Sequence, residues 1–161
     1  MSDEQPGGAE RSAMLERLNY AFGAFIPHNL ALGISFVDYG PGVAWMKLPY
    51  DEKLVGNSET RVLHGGAISS LLDTCCGASV FIKLEVPTRV ATLDLRIDYL
   101  RPATPDRDVL CKAECYKLTK HVAFTRALAF HDDESDPIAA AAGSFVVFNN
   151  PRPRKPRTEQ T

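Results

Sequence analysis

The chain is expected to fold as a single α+β domain, an antiparallel sheet with its helices segregated from the strands. Three features carry that expectation. Strand-like segments with a two-residue period follow one another after Pro87. A run of small and apolar residues from Gly65 to about Lys83 is long enough for a buried helix. Two shorter strands flank the turn residues Gly40-Pro41-Gly42. Strands in runs, rather than in strict alternation with helices, favour an antiparallel arrangement.

Each element follows from its spacing. "AMLERLNYAFGAFIP", from Ala13, places Leu15, Leu18, Phe22 and Phe25 at helical intervals, and Pro27 ends the pattern. "GISFVDYGPGVAWMKLP" reads as the strand pair. A polar stretch, "YDEKLVGNSETR", leads to the long helix. Within that helix Ile68, Leu71, Leu72, Cys75 and Ser79 form one stripe, mostly apolar. Ser69, Asp73 and Gly77 form a second, small and polar, that something can approach closely. "ATLDLRIDYLRP" alternates, with Ala91, Leu93, Leu95, Ile97 and Tyr99 on one face and Thr92, Asp94, Arg96 and Asp98 on the other. "DVLCKAECYKL", "VAFTRALAFHD" and "PIAAAAGSFVVF" complete the four strands, with turns at 118–120 and 132–136. Residues 1–10 and the Pro/Arg-rich 149–161 read as disordered tails around a domain at 11–148.

Composition narrows the function. The 161 residues suit one domain, and 45% apolar with 24% charged is ordinary for a globular protein. A net charge of −2 argues against general nucleic-acid binding. No apolar run is expected to cross a bilayer, and the acidic start "MSDEQPGGAERSA" does not resemble a secretory signal, so a cytoplasmic protein is expected. Cys75 and Cys76 are neighbours, and Cys111 and Cys115 lie about 13 Å apart along a strand, too far for a disulfide. No Cys-x-x-Cys pair marks a zinc site, so four buried thiols and no metal are expected.

The chemistry concentrates at "VLHGGAISSLLDTCCG". A helix start presents free backbone N–H groups and the positive end of the dipole. Glycines there, Gly65 and Gly66, leave room for a ligand oxygen to reach the amides, the anatomy of an oxyanion hole. The same glycines also suit a tight turn into a buried helix. Asp73 is a carboxylate inside a mostly apolar helix, which is costly unless it is bonded to a neighbour or used as a base or nucleophile. Eight helical residues separate Gly65 from Asp73, about 12 Å of rise. One straight helix cannot bring both to one carbonyl, whereas a two-fold dimer can.

"GNSETRVLHGGAISSLLDTCCG" followed by "LDLRIDYLRP" resembles the PaaI-type acyl-CoA thioesterases of the hotdog-fold superfamily, over about residues 15–148. The resemblance implies an antiparallel sheet wrapped around a long central helix. It implies a homodimer, often paired into a homotetramer, with sites at the dimer interface. Gly65 would polarise the thioester carbonyl, Asp73 of the other subunit would be nucleophile or base, Asn57 would position water or the carbonyl, and Thr92 would complete the pocket. His64 would hold the loop through a backbone hydrogen bond. Asn57 stands seven residues before His64, and Arg61 occupies a place where a small residue is more usual. No cofactor is implied, since coenzyme A is part of the substrate.

Coenzyme A carries phosphates, so its exit route should be cationic. Arg101 and the "KLTKH" turn, with Lys117, Lys120 and His121, are the candidates beside a plain solvated hairpin tip. Phe22, Phe25, Trp45 and Phe81 are candidates for an aryl or medium-chain acyl pocket and, equally, for plain core packing. A lipase-type esterase also uses His-Gly-Gly, but the chain has no G-x-S-x-G elbow. A hotdog dehydratase and a non-catalytic acyl-CoA binder are the remaining alternatives.

Overall fold

The computed structural model describes residues 8–84, 86 and 88–148. Helix α1 (Gly8–Leu18) runs into a π-helical segment (Asn19–Ala24), and a short α2 (Pro27–Leu32) follows. Strands β1 (Ser35–Gly40) and β2 (Val43–Leu48) form the first hairpin. A 3-10 turn (Glu52–Leu54) and a small ribbon of β3 (Val55–Asn57) with β4 (Val62–Leu63) lead into α3 (Gly65–Lys83). Then come β5 (Val90–Tyr99), β6 (Val109–Leu118), β7 (Val122–Phe130) and β8 (Ala139–Val147). The six long strands make one antiparallel sheet in the order β1-β2-β6-β7-β8-β5. α3 packs across it, chiefly on β2, β6 and β7. This is the hotdog arrangement, and the α+β expectation holds.

The core lies between α3 and the concave face of the sheet. Leu71, Leu72, Cys75 and Cys76 of α3 meet Ala44, Met46, Cys111 and Phe145. The expected apolar stripe is the buried one, and Ser79 within it donates to the Cys76 carbonyl at 2.7 Å. By length and composition α3 is apolar enough to span a membrane, contrary to expectation, with 19 residues and a mean hydropathy of 1.4. That apolarity serves the core instead: 56% of the span is buried inside the fold. All four cysteines are free and buried. Burial raises the Cys76 thiol to about 12, so it stays protonated and inert at neutral pH.

Several boundaries differ from expectation, each for a physical reason. The tail expected over 1–10 overlaps α1, which is helical from Gly8; residues 1–7 and the expected tail 149–161 lie outside the described residues. The π segment inserts extra residues per turn after Leu18, and this rotates the apolar phase. Leu18 is buried and Phe22 half-buried, but Phe25 is 51% exposed. Pro27 does not merely stop a helix. It occupies the first turn of α2, where its missing N–H costs nothing. On β5 the register slips between Thr92 and Asp94, leaving Leu93 as a bulge. Leu95, Ile97 and Tyr99 keep the helix side, but ahead of the bulge Thr92 takes that side, and Leu93 is 58% exposed.

Candidate active site

The N-terminus of α3 is built by its cap. His64 takes extended backbone angles (φ −62°, ψ 134°), and its Nδ1 accepts the Gly66 N–H at 2.9 Å. Gly56 lets β3 pass against it, since a Cβ there would stand 2.9 Å from the His64 Cα. The cap thus occupies the Gly66 amide. The Gly65 N–H has no acceptor among the described residues, so it is the one of the pair open to a ligand. The Gly65 carbonyl is held from the other side, by the Tyr99 hydroxyl at 2.7 Å and the Ser69 hydroxyl at 3.0 Å. Gly65, Leu63, Ile68, Tyr99 and Arg101 line a cavity of about 360 Å³ at this end of the helix.

Asp73 lies two turns further along α3, half-buried. Its Oδ1 accepts the Thr92 hydroxyl at 2.8 Å, which fixes the carboxylate and leaves its second oxygen open toward a different cavity of about 300 Å³. Phe22, Ile26, His28, Val90, Thr92 and Phe145 are among the walls of that cavity. Gly65 and Asp73 therefore open into two separate cavities of one chain, about 12 Å apart along the helix axis.

The other expected residues are distributed less neatly. Asn57 is exposed at the β3–β4 turn, where its Oδ1 accepts the N–H groups of Glu59 (2.9 Å) and Thr60 (3.2 Å); it lines neither cavity. Arg61 sits at φ 57° and is tied to Glu52 and Asp106. Arg101 lines the Gly65 cavity but pairs with Asp136, with Nε to Oδ1 at 3.0 Å. Lys117, Lys120 and His121 occupy the exposed β6–β7 tip. That tip lies toward the C-terminal end of α3, where Gly42 bonds Cys115 and packs beside Lys83, so the structure does not bring it to Gly65. Of the four aromatic candidates only Phe22 lines the Asp73 cavity, with Phe81 edge-on behind it at 5.4 Å. Trp45 lies under Lys112 on the opposite face of the sheet.

Two residues at the Asp73 cavity were missed in the sequence. His28 bonds Ser70 at 3.1 Å, and buried Asn29 accepts the Thr74 hydroxyl at 3.1 Å while donating to the Phe22 carbonyl. Both stand on α2, and the signal that points to them is Pro27 read as a helix start. His131 is structural: it is buried, its Nε2 accepts the Thr104 N–H at 2.9 Å, and its Nδ1 lies 2.7 Å from the Asp108 carbonyl.

The family model described as "Thioesterase superfamily" matches residues 61–138, the span that holds Gly65, Asp73 and Thr92. A Halobacterium salinarum protein is 34% identical over 128 residues, 74% of this chain and 83% of its own. The medium/long-chain acyl-CoA thioesterase YigI of Escherichia coli is 30% identical over 135 residues, 76% of this chain and 86% of its own. The chain belongs to the thioesterase superfamily. Membership places it among thioester hydrolases. Among solved structures, a Pseudomonas aeruginosa protein superposes on the thioesterase with a TM-score of 0.74 at 42% identity, covering 83% of this chain and 98% of its own. The PaaI protein of the E. coli phenylacetic acid degradation operon shares the fold at a TM-score of 0.73 and 18% identity, over 88% of this chain and 98% of its own.

Proposed function

We propose that the protein hydrolyses aryl- or medium-chain acyl-CoA to the free acid and coenzyme A, in sites that each draw on two subunits. The observation that carries this reading is the pairing of an open Gly65 N–H and a Thr92-anchored Asp73 carboxylate that one chain keeps in separate cavities. A second copy related by a two-fold axis supplies each half-site with its missing partner. Edge strand β5 favours that assembly. Among the described residues it pairs only with β8, and Leu93, Tyr99 and Leu100 on or beside it are 50–58% exposed. A long uncovered apolar edge is a template for another chain.

In this arrangement the thioester carbonyl oxygen accepts the Gly65 N–H of one subunit. Asp73 of the other either takes a proton from the attacking water or attacks the carbonyl carbon itself. In the first route hydroxide adds to carbon, the C–S bond breaks, and the proton ends on the coenzyme A thiolate. In the second, the C–S bond breaks as the acyl-aspartyl anhydride forms and coenzyme A leaves as its thiolate; water then hydrolyses the anhydride, regenerates the Asp73 carboxylate and supplies the proton that the thiolate takes up. Both routes consume one water and give the same products. The Gly65 amide stabilises the oxyanion of either. His64, by capping Gly66, leaves that amide open. The reading places the enzyme in the cytoplasm, where its buried thiols stay reduced.

The test is a panel of aryl- and alkyl-CoA thioesters with a thiol reagent reporting coenzyme A release. Turnover of one class supports the reading; hydration of enoyl-CoA without release, or binding without turnover, replaces it. The nucleotide end of the substrate is assigned to the exposed Lys117–Lys120–His121 tip. Reversing the charges of Lys117 and Lys120 is expected to raise KM for acyl-CoA about tenfold at low salt, and far less for a short acyl thioester lacking the nucleotide. Equal KM values for both substrates in variant and wild type would remove the tip from the binding site.

A further inference from the structure

The second, small stripe of α3 holds a residue that neither the fold nor the proposed chemistry requires. Gly77 stands in the middle of a 19-residue helix, one turn beyond Asp73. Glycine there weakens a helix relative to alanine. Its backbone does not call for it, because Gly77 is absent from the positive-φ glycines, Gly33 and Gly42. Packing does not call for it either. A Cβ at Gly77 would meet only the Phe145 Cε1, at 3.5 Å, an ordinary van der Waals contact. Gly143 is the contrast: a Cβ there would press on Leu95, Thr125 and the Asp94 carbonyl at 3.0–3.3 Å. The space over Gly77 is instead the Asp73 cavity, with Phe22, Ile26, Val90 and Phe145 as its apolar walls.

The geometry points to Gly77 as the residue that sets acyl length: the acyl group passes from the carbonyl at Asp73 over Gly77 and along Phe145, and a side chain at position 77 shortens the chain the enzyme accepts. This rests on the thioesterase reading of the Asp73 cavity and deepens it by naming where the acyl tail lies. Only Gly leaves the helix backbone itself as one wall, and this adds depth to a cavity of about 300 Å³.

Gly77→Ala and Gly77→Leu are compared with wild type on saturated acyl-CoAs from butyryl to palmitoyl, with coenzyme A release, thermal melting and size exclusion as readouts. Each methylene displaced from the apolar cavity lowers kcat/KM about fourfold. A leucine side chain displaces about four methylenes, so the ratio of kcat/KM for long over short substrates falls by about two orders of magnitude. For Gly77→Ala the same ratio falls about fourfold. Its Tm meanwhile rises by about 2–4 °C, because alanine removes the helix cost of glycine. A more stable protein with a shorter acyl preference is a signature that damage to the fold does not produce.

An unchanged ratio in both variants overturns the inference, as does an equal fall at every chain length. Loss of the dimer in the folded Gly77→Ala variant also overturns it, by giving the space to the partner subunit. A wild type that releases no coenzyme A from any substrate sinks the thioesterase reading itself, whereas an active wild type with an unshifted Gly77→Leu profile sinks only the role of Gly77.

Discussion

Asp73→Asn is expected to lower kcat for acyl-CoA hydrolysis by about 10²–10⁴-fold, the range a positioned general base contributes. Asparagine keeps the volume of the side chain, and its Oδ1 still accepts the Thr92 hydroxyl that now stands 2.8 Å from the carboxylate. Packing around α3 is therefore undisturbed, and the circular dichroism spectrum and melting temperature should match wild type. What the amide lacks is basicity and nucleophilicity. Because Asp73 is only half-buried, its replacement leaves no orphaned polar group in the core. KM should change little, since the acyl and nucleotide contacts remain. The measurement is single-substrate kinetics on the purified protein with the thiol reagent. Comparable kcat in the variant would sink the role assigned to Asp73, whatever happens to KM.

How much of this was legible beforehand depended on the length of each signal. Helix α3 was read nearly to its ends, because His64-Gly65-Gly66 announces a cap and the apolar stripe from Ile68 to Ser79 spans three turns. Strands β6, β7 and β8 were legible because one face is buried at alternate residues over nine or ten positions. The ribbon of β3 and β4 was not. It has three and two residues, and it is held by the Asn57 side chain turning back on Glu59 and Thr60, which in sequence is only another polar loop. The face of Thr92 was assigned by strict alternation, and a bulge at Leu93 reversed it. A one-residue slip moves a side chain to the other side of a sheet, and nothing local in "ATLDL" marks it. The site divides the same way. Gly65, Asp73 and His64 stand on one helix, so spacing alone related them. His28, Asn29 and Phe145 reach the Asp73 cavity from elsewhere in the chain, through contacts that only the folded sheet creates.

Co-refolding two inactive variants, Gly65→Pro and Asp73→Asn, is expected to restore about a quarter of wild-type activity. Proline at position 65 deletes the N–H that would meet the thioester carbonyl. The helix should tolerate it. Position 65 is the first residue of α3, where proline is favoured, and His64 before it is already extended at ψ 134°. A Cβ at Gly65 meets Tyr99 atoms no closer than 3.4 Å. Alone, each variant forms dimers in which both sites are defective. In a mixed dimer, one site inherits both substitutions, Gly65→Pro from one chain and Asp73→Asn from the other. The second site draws a native Gly65 and a native Asp73 from opposite chains and is intact. Random pairing makes about half the dimers mixed, each with one working site of two, which gives the quarter. The two cavities within a single chain require this result if each reaction uses Gly65 and Asp73 together, since about 12 Å of helix separates them. Folded dimers that exchange subunits, shown by a mass-tagged partner, yet stay inactive would mean that both groups act within one chain, and the two-subunit site would be wrong.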